Sequence, residues 1–243
     1  MEIQFANMEA RSSFSKRRLA LQHKPVYANG SVDPKVHFSG CGILLCFIYY
    51  IIRNSSSTSN TIAALIFLLS HLLCFGISTF CHSLLDSRKQ LSCFFLMDHI
   101  GIILHIWGTS VSVLLLEDSG GGKIISVILG ITLAGIVCAT YLITWPREKK
   151  ERMLVIGVFG ALDLCSVSLY SAVFSSTSRL TASYIFLAVV NGIGGWFYSR
   201  GSIQIPNQGS SKPYTVSGHF LMHLCSLIAS IFHASTLALS ICI

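Results

Sequence analysis

Charge is what this chain has least of. Asp, Glu, Lys and Arg make up only 11% of its 243 residues, against about 25% in a soluble globular domain. That shortage argues against a cytosolic enzyme, a disordered chain and a nucleic-acid module, so no nucleic-acid partner is expected. Loop cysteines are missing as well. All nine cysteines, at 41, 46, 74, 81, 93, 138, 165, 225 and 242, stand inside apolar runs. That excludes a disulfide scaffold and leaves Cys acting as a small apolar side chain. The first 35 residues contain no apolar core of the roughly 7–15 residues that a secretory signal needs. With Arg11, Lys16, Arg17, Arg18, Lys24 and Lys35, they read as a polar cytoplasmic tail.

Apolar residues are abundant, 52% of the chain, with a mean hydropathy of +0.66. They gather into seven runs: Val36–Ile52, Thr61–Leu85, Leu91–Leu116, Ile124–Thr144, Met153–Phe174, Arg179–Ser199 and Ser217–Ile243. Each has about the 17–25 residues, or slightly more, that a helix needs to cross roughly 30 Å of hydrocarbon. Barrel strands would be half as long and would alternate polar with apolar, which these runs do not. Within lipid, a single segment satisfies its own backbone only as a helix. The reading is an all-α integral membrane protein: a tail over 1–35 and a seven-transmembrane-helix bundle over 36–243.

The net charge of +7 finds its meaning in its placement. Fourteen of the 17 Lys and Arg fall in the tail and the second, fourth and sixth loops; only Arg53, Lys123 and Arg179 fall on the other side. The positive-inside rule then puts the N-terminus in the cytoplasm and, after seven spans, the C-terminus outside. A G-protein-coupled receptor runs the other way. A retinal pigment would need a lysine in the last run, which has none.

Ionisable side chains inside a bilayer are costly and face the bundle interior, so their depths are informative. His82 lies near the cytoplasmic end of the second run, Asp98 early in the third, and His219 and His223 at the start of the seventh. At ~1.5 Å per residue, all four come within roughly 3–10 Å of the inner boundary. His219 and His223, at i and i+4, leave one helical face. With His82 they offer three neutral nitrogens, the ligand number of a catalytic zinc site that keeps one position open. Asp98 suits proton transfer from a water held there, or orientation of a ligand imidazole. Ser78, one turn from His82, suits support of the metal's surroundings or of a substrate oxygen. His99 points ~100° away from Asp98, towards lipid headgroups or another helix. A deeper group comprises His71, His105, Asp163 and His233: either each is satisfied separately by a backbone carbonyl or a neutral partner, or Asp163 hydrogen-bonds His105 or His233. Gly192-Ile-Gly-Gly195 follows no strand and reads as a close helix contact.

Three segments resemble the progestin and adipoQ receptor family, which includes the adiponectin receptors and the bacterial haemolysin III proteins. They are Ser78-Thr-Phe-Cys-His82, Asp98-His-Ile-Gly-Ile102 and Ser217-Gly-His219-Phe-Leu-Met-His223; Val36-His37-Phe-Ser-Gly40 is similar to the family's first-helix start. The sequence departs from the family pattern in three places. Asp33-Pro34-Lys35 stands where an Asn is common, Phe220 stands for Gln, and a Pro-Glu-Arg segment is missing from the sixth loop. The resemblance implies zinc held by His82, His219 and His223, with Asp98 beside it.

Three functions follow as expectations. One is a zinc hydrolase acting on a ceramide-like lipid amide, with Asp98 and Ser78 as its catalytic residues. The second is a zinc-stabilised receptor or sensor for a hydrophobic hormone or lipid. The third is a transport or channel protein. The plasma membrane or an endomembrane is the expected location. A single zinc per chain is expected, and His82→Ala or His223→Ala should lower metal content and thermal stability together, because a ligand bound only to the folded state stabilises it. Wild-type protein purified without added metal or chelator, metal-free and equally stable, contradicts this.

Overall fold

The computed structural model describes residues 33–83, 91–117, 123–145, 148–174, 178–205 and 214–242. Among them are seven helices: α1 (Asp33–Asn54), α2 (Thr58–Ser83), α3 (Leu91–Glu117), α4 (Lys123–Thr144), α5 (Lys149–Phe174), α6 (Ser178–Arg200) and α7 (Gly218–Cys242). Six of them, α2 to α7, are long and apolar enough to cross a membrane. Of the seven spans expected, six are thus shown; in α1, 22 residues long, the apolar stretch among the described side chains is Phe38–Asn54. Its first turn is Asp33-Pro34-Lys35, where proline fits because its missing N–H would have had no helical partner.

Large apolar side chains cover the outside, among them Leu129, Leu133, Leu162, Leu169 and Leu239, each about 60% exposed or more (58–68%). A water-soluble monomer does not present such a surface; a bilayer requires it. The protein is an integral, multi-pass membrane protein. Inside, Leu44 and Ile51 of α1, Phe67 and Leu68 of α2, Leu187 of α6 and Leu237 of α7 form one buried cluster. Leu114 of α3, Ile124 and Ile131 of α4, Val167 of α5 and Tyr184 of α6 form another.

Between α6 and α7 the chain forms an antiparallel ribbon, β1 (Ser202–Ile205) and β2 (Tyr214–Ser217), with Ser202 opposite Ser217. Hydropathy had assigned this stretch to a loop and Ser217 to the last span. The helix begins one residue later, at Gly218, whose N–H donates to the Gly201 carbonyl at 2.7 Å. Gly201 has φ +80°, a left-handed conformation that glycine adopts without steric cost.

Close helix contacts depend on missing side chains. A Cβ on Gly194 would come within 3.2 Å of the Met222 backbone of α7, so this glycine makes the contact expected of the 192–195 run; Gly192 faces open space. A Cβ on Gly108 of α3 would lie 2.1 Å from Ser70 Oγ and 2.4 Å from Ser70 Cβ in α2. Gly108→Ala should therefore separate α2 from α3 and cost about 1–3 kcal/mol of stability. Gly130→Ala, which would meet nothing within 4 Å, should be neutral or slightly stabilising. Thermal unfolding of the two variants in detergent checks this, and equal stability contradicts it.

Candidate active site

Helix geometry brings several of the expected residues to one place. Ser78 on α2, Asp98 on α3 and His223 on α7 are all buried and all line one cavity of about 610 Å³. His219, half-buried, has its ring centroid 4.4 Å from that of His223 and 5.3 Å from that of Tyr198. The i, i+4 pair therefore does leave α7 on one face. The His82 side chain lies outside the described residues, as does that of His37. Among the described residues no three His, Cys, Asp or Glu form a metal-ligand group. His99 is 2% exposed, so of its two expected surroundings it takes the protein interior and not the headgroups.

The rest of the cavity wall is mainly apolar, and two helices supply much of it. Gly157 and Gly160 of α5 and Gly192 and Gly195 of α6 line it together. At Gly157 and Gly192 an added Cβ would meet nothing within 4 Å. Asn191 of α6 also lines the cavity.

Of the two arrangements open to the deeper group, the structure has the one with separate, neutral partners. Asp163 does not bond either histidine. Its Oδ2 accepts from Ser110 Oγ and, at 3.4 Å, from Tyr184 OH. Its Oδ1 is buried without a partner among the described residues. Hydroxyl groups from α3 and α6 satisfy it because they share its level and its side of α5, and depth alone says nothing about side. The histidines cluster with one another. His71 and His105 have ring centroids 3.5 Å apart with their planes tilted by 37°, and Phe67 packs against both His71 and His233. His71 Nδ1 donates to the Phe67 carbonyl at 3.1 Å. Ser183 Oγ gives its hydrogen to the Leu180 carbonyl, so His233 Nδ1 donates to Ser183 at 2.8 Å. Trp107 is satisfied separately, donating to Thr132 of α4 at 2.9 Å.

Glu117 passed unnoticed in the sequence because the third run was ended at Leu116. It is buried at the end of α3 and accepts from Ser171 of α5 and Thr181 of α6. The available signal was position: a lone carboxylate one residue beyond an apolar run. Tyr184 and Ser110 gave no such signal, since hydroxyl residues in an apolar run look like packing residues.

Against known proteins, a family described as haemolysin-III related matches residues 27–234, most of the chain. No curated protein matches it.

The Asp163 contacts make a thermodynamic prediction. A double-mutant cycle pairing Asp163→Ala with Tyr184→Phe should give a coupling of about 0.5–3 kcal/mol, the range for groups in one network. The same cycle with His105→Ala should stay within about 0.5 kcal/mol. Unfolding in detergent measures both, and the reverse order would contradict the assigned partners.

Proposed function

Because the chain belongs to the haemolysin-III related family, the family of the progestin and adipoQ receptors, we propose that it is a seven-span lipid amide hydrolase. In this reading the N-terminus is cytoplasmic and the C-terminus outside. Fourteen basic residues on the cytoplasmic side support that orientation. α1 completes the count as the seventh span, with its polar first turn at the inner boundary.

One observation carries the catalytic reading. Ser78, Asp98 and His223 line one largely apolar cavity of about 610 Å³, within the range of small-molecule sites. A collapsed bundle would have favoured a zinc-stabilised receptor without catalysis; space beside these polar groups favours chemistry on a lipid. The small residues of α5 and α6 leave room for an acyl chain along the wall.

His219 and His223, with rings 4.4 Å apart, have the donor chemistry of a zinc pair, and His82 from α2 would be the third ligand. Zinc there would supply a Lewis acid and lower the pKa of a water to near neutrality. Asp98 would accept a proton from the water that attacks the amide carbonyl. The same carboxyl would then deliver the proton to the departing amine nitrogen, so that one amide and one water become a carboxylic acid and an amine. Ser78 would donate a hydrogen bond to the carbonyl oxygen as it gains charge. The cavity wall would hold the acyl chain and exclude bulk water.

Asp98→Asn separates these roles. It should retain zinc and lower hydrolysis of a fluorescent ceramide by about 100-fold or more, the usual scale for a lost general base. Full activity in that variant would remove Asp98 from the mechanism. Loss of zinc would make Asp98 a metal ligand instead.

A further inference from the structure

The cavity reaches the surface at the end where Asp98 and His223 lie. Short loops and the ribbon make successive helices antiparallel, so α3, α5 and α7 start, and α6 finishes, at that end. Lys150 and Leu154 of α5 and Ser199 of α6 line the cavity and are exposed. They belong to the first two turns of α5 and the last turn of α6. The two helices meet at this level, where a Cβ added to Gly195 would come 3.7 Å from Met153 Cε. Counted from the starts of their own helices at ~1.5 Å per residue, Asp98 and His223 stand roughly 7–11 Å in, and Lys150 less than about 2 Å.

Among the described residues, Lys150 is the one Lys or Arg on the cavity wall, and Asp98 the one Asp or Glu. Arg200 follows Ser199 in α6, but its guanidinium lies over the Trp196 ring, 5.0 Å from the centroid. The Ser199 hydroxyl gives its hydrogen to the Trp196 carbonyl at 2.7 Å. The ammonium of Lys150 is thus the donor at the mouth. A lysine in such a place lays its carbon stem on apolar surface and keeps its charge towards water or an anion. Beyond Asp98, Ile102, Ile106 and Leu187 make the wall apolar. An amide with its carbonyl at Ser78, Asp98 and His223 sends its acyl chain that way. The substituent on its nitrogen then points to the mouth, towards Lys150.

We propose that Lys150 is a specificity-determining residue that binds an anionic group on the amine half of the substrate. The substrate class is then an N-acyl amide whose amine carries a carboxylate or a phosphate within a few bonds of the amide nitrogen. This rests on the lipid-amide reading given above and adds to it the part of the molecule that faces the mouth.

Binding to the purified full-length protein in a neutral detergent tests this without any need for turnover. Two pairs of probes differ in charge: N-oleoylglycine against N-oleoylglycinamide, and a phosphorylated ceramide against ceramide. The anionic member of at least one pair should bind about two- to fivefold more tightly, the worth of an exposed ion pair. Which pair shows the preference tells a carboxylate from a phosphate. Salt at about 0.5 M should shrink it. Lys150→Met, which keeps the stem and removes the charge, should abolish it, whereas Lys150→Arg and Arg200→Met should keep it. Should Lys150→Met fail to fold, Lys150→Gln carries the same expectation. Equal binding within both pairs, or a preference that survives loss of the Lys150 charge, overturns the assignment and leaves the cavity reading standing. A preference lost equally in Arg200→Met overturns it too, because the charged boundary as a whole would then be responsible. Failure of all four probes to bind overturns both.

Discussion

Hydrocarbon offers no hydrogen-bond partner, and every polar side chain placed in it must find one inside the protein. In this bundle most hydroxyls meet that requirement on a carbonyl of their own helix, as Ser70, Thr109, Thr132 and Ser230 do, whereas two buried carboxylates, of α3 and α5, meet it across helices. Glu117 of α3 is held by Ser171 of α5 and Thr181 of α6. Asp163 of α5 is held by Ser110 of α3 and Tyr184 of α6. Two buried carboxylates thus tie the same three helices together at two levels. Those three helices also wall much of the cavity, where Gly157 of α5 and Gly192 of α6 leave open space. Pinning at the carboxylates and gaps at the glycines together keep an internal space in an otherwise close-packed bundle.

Much of the architecture was legible because a bilayer imposes length. Runs such as Ile124–Thr144 have hardly another way to satisfy their backbone, and α4 takes nearly that range, Lys123–Thr144. The ribbon at Ser202–Ile205 and Tyr214–Ser217 was not legible at all. Its four-residue strands are too short for a periodicity, and the glycines that frame it, Gly201 and Gly218, act through backbone geometry.

Part of the candidate site could be read because helical spacing and depth can be counted along a sequence. The i, i+4 relation predicts neighbouring rings for His219 and His223, and their centroids are 4.4 Å apart. Ser78, Asp98 and His223 come from three helices to one cavity. What depth cannot supply is direction around the helix. Asp163, His105 and His233 share a layer, yet the carboxylate meets hydroxyls and His105 meets His71. Seen only as letters within apolar runs, the serines, threonines and tyrosine that organise the interior are indistinguishable from packing residues.

The central claim is a zinc centre made of imidazoles at the cytoplasmic end of the cavity, in a chain that also carries nine cysteines. X-ray absorption at the zinc edge of the purified protein tests it most directly. The account predicts a shell of nitrogen and oxygen atoms at about 2.0–2.1 Å with the outer scattering pattern of imidazole rings. No zinc edge, or a shell dominated by sulfur at about 2.3 Å, would contradict it.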